Sequence, residues 1–304
     1  MKWEKKGLIF RPDKNLWWQQ HYGILPTPVY IKEKNCIRIY FSTACKENFG
    51  RVTYIDVAAD DPSIVLYKND TYILDIGQPG TFDDCGVNCS SVVSVNGKTF
   101  LYYVGYQRCH KTPFMLFPGL ATNKNDEAYV RISSTPIIDR SNTYPFSLAA
   151  PFVMFDKEIF RMWLWIAEQW TTINGKQYLS ASIGYAESND GVAWVIVKSN
   201  CVVPDRSVEF SVGRPWVIKD GSIYKMFYSV RYIDKLYRLG FAESLDGLAW
   251  VRKDSDIGID VSDEGWDSEM LCYPAVITAE DKTYLFYNGN NNGETGFGYA
   301  VLQD

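Results

Sequence analysis

Carboxylates recur at comparable places along this chain, each group just ahead of a short apolar stretch. Asp83 and Asp84 precede the stretch that begins at Ser90, Glu209 precedes Pro215, and Asp267 and Glu269 precede Pro274. Two carboxyl groups flanking a sugar–oxygen bond are what glycosyl transfer requires. One, protonated, releases the leaving oxygen, and the other acts as base or nucleophile. Asp84 is the candidate acid or base and Glu209 and Glu269 its partners, with Asp83 and Asp267 in reserve. The plain alternative is that each bonds a turn or lies solvated at a rim.

Basic and aromatic residues stand near the same places. Arg214 immediately precedes Pro215, and Arg231 follows the next strand of that repeat. A guanidinium forms paired hydrogen bonds to carboxylate or phosphate, so these two can hold a sugar acid, a sugar phosphate or a nucleotide-linked sugar. The alternative is structural pairing to Glu209 or Asp84. His21 and Tyr22 occupy the corresponding place in the first repeat. Trp17, Trp18, Tyr106, Trp170, Tyr232 and Trp266 are further loop aromatics able to stack on a sugar face, and Asn288, Asn290 and Asn291 can bond hydroxyls or shape a turn. No cofactor or metal is expected. Cys85 and Cys89 form a weak pair that only His21 and His110 could join as imidazole ligands.

The elements that must position these residues are strands. Aromatic residues make up 15% of the 304-residue chain, including 10 Trp and 21 Tyr, and such rings suit half-buried strands. Five segments share one order: an apolar strand, a turn, an aromatic strand, and later a Gly-x-Ala strand, whose place in the first repeat is filled by Arg51 to Val57 without the Gly-x-Ala. First strands are expected to begin at Pro28, Ser90, Pro151, Pro215 and Pro274. Their partners are Ile37–Phe41, Phe100–Tyr103, Phe160–Trp165, Tyr224–Tyr228 and Tyr284–Tyr287. Turn dipeptides such as Asn96-Gly97 and Asp220-Gly221 lie between. Third strands carry Gly119-Leu120-Ala121, Gly184-Tyr185-Ala186, Gly240-Phe241-Ala242 and Gly298-Tyr299-Ala300. Sheets of this size cannot bury both faces alone, and radial packing about an axis solves the problem. The expectation is one domain over residues 1–304, an all-β five-bladed propeller of four-stranded antiparallel blades, with the polar residues before each first strand at one mouth of a central funnel. Asp84, Glu209, Glu269 and Arg214 should converge there.

The clearest repeat is Glu187-Ser-Asn-Asp-Gly-Val-Ala-Trp194 against Glu243-Ser-Leu-Asp-Gly-Leu-Ala-Trp250, with six of eight positions identical. Ser and Asp bond backbone amides, Gly takes the strained position, and Trp packs, so this reads as a structural turn at the blade periphery. This element, with the Pro-x-Val strand starts, resembles the five-bladed propeller glycosidases of glycoside hydrolase families 43, 32 and 130 over nearly the whole chain. The sialidase Asp-box is a weaker match, having one more position before its Gly. The resemblance implies glycosyl cleavage or transfer. Families 43 and 32 carry an essential Asp at the start of the first blade, where this chain has Gln19-Gln20-His21-Tyr22-Gly23. Family 130 phosphorylases dispense with that base because phosphate is the nucleophile.

The net charge of −5 argues against nucleic acid. No stretch approaches the roughly 18 apolar residues of a membrane span. The N-terminal segment lacks the apolar core of a signal peptide. Seven scattered cysteines, an odd number, read as free thiols in a reducing cytoplasm. The expected partner is a carbohydrate or sugar phosphate. The expected activity is hydrolase- or phosphorylase-like, and the rival is a propeller that binds a glycan or protein without chemistry.

Overall fold

The computed structural model describes residues 1–124 and 128–303. It opens with β1 (Trp3–Phe10), which waits for a partner at the far end of the chain. The first full sheet runs β2 (His21–Ile31), β3 (Cys36–Ala44), β4 (Gly50–Ala58) and β5 (Val65–Lys68), antiparallel and in that order. The second repeats the pattern with β6 (Val87–Val95), β7 (Lys98–Arg108), β8 (Phe114–Lys124) and β9 (Val130–Arg131).

An eight-stranded sheet follows, made of two four-strand runs. These are β10 (Leu148–Asp156), β11 (Ile159–Ile173), β12 (Lys176–Ser188) and β13 (Val195–Val202), then β14 (Glu209–Asp220), β15 (Ile223–Tyr232), β16 (Arg238–Ser244) and β17 (Val251–Arg252). Among the described residues the backbone ladder joins the two runs at one parallel bridge, between Ala181 and Ser211. The last sheet holds β18 (Cys272–Ala279), β19 (Lys282–Asn288) and β20 (Phe297–Leu302), and β1 completes it outside β20. The charged N-terminal segment is therefore an outer strand, which its composition did not announce. The five first strands touch in a closed order, β2 to β6 to β10 to β14 to β18 and back to β2.

Each first strand carries a bulge at the same place, and this corrects the expected strand starts. The strands begin two to seven residues before Pro28, Ser90, Pro151, Pro215 and Pro274, and the register slips between Ile24 and Thr27, Cys89 and Ser91, Ala149 and Phe152, Gly213 and Trp216, and Cys272 and Ala275. In the first repeat the equivalent proline is Pro26, not Pro28. The residues before the four bulge prolines, Leu25, Ala150, Arg214 and Tyr273, all have positive φ, from 48° to 59°. A non-glycine residue in that region costs on the order of 1–3 kcal/mol and persists where its surroundings impose it.

Second strands supply the core. Tyr102, Tyr103, Trp163, Phe227, Tyr228, Phe286 and Tyr287 are all essentially inaccessible. The glycines of two Gly-x-Ala strands make room for them. A Cβ at Gly119 would meet the Tyr103 ring at 2.3 Å, and one at Gly240 the Tyr228 ring at 2.4 Å. The repeated octapeptides form two copies of one turn. Asp190 accepts from the amides of Val192 and Ala193 at 2.8 and 2.9 Å, and Asp246 from Leu248 and Ala249 at 2.8 Å each. The turn carbonyls reach the preceding sheet: Tyr102 donates to Gly191 O at 2.8 Å and Trp163 to Gly247 O at 2.9 Å. Each turn thus clips its own four-strand run to the run before it.

Candidate functional site

The four strained residues share a destination. Leu25, Ala150, Arg214 and Tyr273 line one cavity of about 270 Å³, walled by residues of the first strands and the strand pairs beside them. Its size is near the lower end for small-molecule sites, about 300 Å³. Tyr106, Phe114, Trp165 and Tyr237 add aromatic surface, and Asn88, Ser211 and Ser229 add small polar groups. Among the described residues no Asp or Glu lines it.

Arg214 is 2% exposed. From β14 it reaches past its neighbours in the cycle to β6 and β2. It donates to Ser90 O at 2.9 Å, to Pro26 O at 3.3 Å and to Thr27 Oγ1 at 3.2 Å, while its Nε has no partner. Trp216 lies under the guanidinium, 5.3 Å from ring centre to Cζ. Burial lowers its pKa to about 10, so it remains charged at neutral pH. Arg231 stands among three rings, Tyr178, Phe210 and Tyr237, at 4.9, 4.7 and 4.9 Å. Among the described residues neither arginine has a carboxylate partner within salt-bridge distance. The expected alternative, pairing to Glu209 or Asp84, is absent.

The carboxylates do not join them. Glu209, 5% exposed, receives both terminal nitrogens of Arg252 at 2.8 Å and the Asp205 amide at 2.8 Å. Asp83, 1% exposed, accepts from Tyr103 at 3.0 Å and from Arg131 at 2.7 Å. Asp267, 3% exposed, accepts from Tyr287 at 2.9 Å and pairs with Lys5 at 2.8 Å. The arrangement repeats. A carboxylate ahead of or opening the first strand is tied to a cation on the outermost strand, and for Asp83 and Asp267 also to a second-strand tyrosine. In the fourth run Asp254 joins Arg252 to Tyr228. These acids close their sheets, with their charge compensated where they lie. Glu269 is exposed, and its backbone is held by Asn290 and Arg238. The expected convergence of Asp84, Glu209 and Glu269 with Arg214 is not what the geometry presents, because none of the three acids lines the cavity.

Asp84 differs from the others. Its Oδ2 accepts the Gly80 amide at 2.8 Å, but its Oδ1 is buried without a partner. The next residue, Cys85, donates its amide to the carbonyl of Tyr106 on the cavity wall.

Asn288 is fully buried and committed. It accepts the Leu25 amide at 3.0 Å and donates to Gly23 O at 2.7 Å and Gly296 O at 2.9 Å, so it fixes the first bulge rather than offering groups to a hydroxyl. His21 and Tyr22 lie together, ring centres 6.1 Å apart, and neither lines the cavity. Trp170 packs on Phe114 at 5.8 Å, and Trp165, nearer the bulge on the same strand, takes the place at the wall. Tyr273, Leu25, Ala150 and Trp165 were not foreseen; for the first three, the place before a bulge proline was the available signal. Among the described residues no three His, Cys, Asp or Glu side chains gather as a metal set.

No family model matches the chain. The uncharacterized protein Rv1502 of Mycobacterium tuberculosis strain H37Rv is 34% identical over 304 residues, covering all of both chains. Among solved structures, a glycoside hydrolase superposes with a TM-score of 0.74 at 18% identity, over 99% of this chain and 92% of that one. A thermostable family-43 glycoside hydrolase gives 0.67 at 16%, over 95% and 92%. A structure from the GH130 family of mannoside phosphorylases, which contains glycoside hydrolases that target beta-1,2 mannosidic linkages in Candida mannan, gives 0.71 at 14%, over 99% and 94%. At these identities the likeness is one of fold.

Proposed function

We propose, starting from a chain that belongs to the family of the mycobacterial protein Rv1502 and carries the fold of the propeller glycosidases, that its central cavity binds an anionic saccharide. One observation carries this reading. Two guanidinium groups without acidic partners line an aromatic cavity that contains no described carboxylate. A buried cation held only by carbonyls and a hydroxyl lacks the counter-charge that would offset its desolvation. A sugar carboxylate, sulfate or phosphate supplies it, while the rings pack against the sugar. Arg214 is the deep anchor and Arg231 the outer one.

The architecture that accompanies this reading is a five-bladed propeller forming one domain, supported by five four-strand runs whose first strands meet in cyclic order. All seven cysteines are unpaired, as a reducing cytoplasm allows.

The test is calorimetric titration with matched pairs, glucuronate against glucose and glucose 6-phosphate against glucose, followed by a wider anionic glycan array. Selective binding of anionic forms that Arg214→Met abolishes supports the proposal. Equal binding of neutral and anionic forms, or binding indifferent to Arg214, defeats it.

One observation favours a second reading in which the bound sugar is also turned over. The Oδ1 of Asp84 lacks a hydrogen-bond partner, and the next residue, Cys85, is bonded through its amide to the carbonyl of Tyr106 on the cavity wall. In that case Asp84→Asn removes turnover while binding survives, and the reaction draws its nucleophile from solution, as phosphorolysis does.

A further inference from the structure

We infer that the ligand is a chain of at least two units, and that a groove beside the central cavity holds the second. This rests on the central cavity being the anionic saccharide site. The groove encloses about 460 Å³. It shares Arg231 and Tyr237 with the central cavity, so the two spaces meet along one wall.

The groove has a construction of its own. β11 has 15 residues and β12 has 13, whereas the other second and third strands have six to eleven. A register slip between Ala167 and Gln169 redirects the extra length, and the hairpin tip at Asn174-Gly175 forms one side of the groove. The segment after β15, Ile233–Tyr237, forms the other. Tyr178, Phe210 and Tyr237 give ring surface around Arg231, which suits the faces of a sugar. Lys176 and Lys235 are exposed at the rim, where Asp234 is the one described acid. A lengthened hairpin that walls a cationic, ring-lined groove continuous with the central cavity fits an extended polyanionic saccharide better than a monosaccharide. Arg231, at the junction, then faces the linkage between the two units.

The experiment is a glycan array of uronate-bearing, sulfated and phosphorylated glycans from one to six units, read with wild type, Lys176→Glu/Lys235→Glu and Arg214→Met. Hits at two or more units should exceed their one-unit counterparts at least tenfold, and the lysine double variant should lose that gain while one-unit binding stays unchanged. Equal signals for one unit and for longer chains, or a gain that survives charge reversal, overturns the inference and leaves the central site standing. Signals indifferent to Arg214→Met, or no anionic hit, overturn the central site and this inference with it. Both lysines are exposed, so the double variant should fold, and an unchanged melting curve checks that.

Discussion

The guanidinium of Arg214 donates to the main-chain carbonyl of Ser90 at 2.9 Å, across the ring of first strands and 124 positions of sequence. Main-chain carbonyls cannot be removed by substitution, and they carry only partial charge. The side chain is therefore positioned without being neutralised. Its strained backbone, φ 51°, serves the same end, because the bulge turns a residue that would lie in the strand toward the cavity.

Replacing Arg214 with Met keeps most of the side-chain volume and removes the charge. Affinity for the anionic ligand should fall by roughly 2–5 kcal/mol, thirtyfold or more, measured by calorimetry. Circular dichroism should show the same sheet content as wild type.

The pH dependence follows from the lowered pKa of Arg214. Affinity for a sulfated saccharide, anionic at every pH used, should be level from pH 6 to 9 and decline above about 10, where Arg214 loses its proton. Arg214→Met should show no such decline. For stability the sign is opposite. The folded value, about 10, is below that of the unfolded side chain, so between the two the unfolded chain holds more protons and Arg214 opposes folding less as pH rises. Below pH 10 both states are charged and the cost of burial is present in full. Intrinsic fluorescence gives a direct reading, since Trp165 lines the cavity.

The paired turns predict acid sensitivity without functional loss. Backbone amides, chiefly Ala193 and Ala249, hold the carboxyls of Asp190 and Asp246 below their usual range. Their contribution is present above the unfolded carboxylate pKa and disappears as pH falls through the lowered folded value. Asp190→Ala or Asp246→Ala should cost about 1 kcal/mol in urea unfolding at pH 7, by analogy with a lost capping side chain. The difference from wild type should vanish in acid, and ligand affinity should not change.

Glu209→Gln and Asp83→Asn separate closure of the sheets from chemistry. Each leaves a basic partner, Arg252 or Arg131, without full charge compensation. Chemical denaturation should show a loss of roughly 1.5–3 kcal/mol for either variant. The saccharide should bind the folded variants as it binds wild type. A folded, fully stable variant that no longer bound would return these acids to the functional site.

The strand order was readable because the repeats are punctuated by prolines and Gly-x-Ala, with geometric causes now visible in the bulges and, at Gly119 and Gly240, in a tyrosine ring. The acids were visible too, but their partners were not. Arg131, Arg252 and Lys5 lie on outer strands, far in sequence from Asp83, Glu209 and Asp267 or, for Lys5, at the other end of the chain. A faint signal existed in the dipeptide Val-Arg, which forms both two-residue outer strands, Val130-Arg131 and Val251-Arg252. Counting acids located carboxylates, whereas only the fold showed that their charge was already answered. Arg214 was legible from its place before Pro215. Tyr273 held the same place before Pro274 and carried no charge to draw attention.

The seam between β1 and β20 has a mechanical meaning. Trp3 pairs with Leu302 and Phe10 with Phe297, so residues 3 and 302 leave the sheet side by side. Ladder bonds run across the strands, and tension applied between those two residues acts along them. Such a pull loads one bond at a time, starting at Trp3, and peels the seam as a zip opens. The first resistance comes from the Trp3 indole, which donates to Ile257 O at 2.9 Å. Once that peg yields, the outer strand strips away before force reaches the strands that wall the cavity.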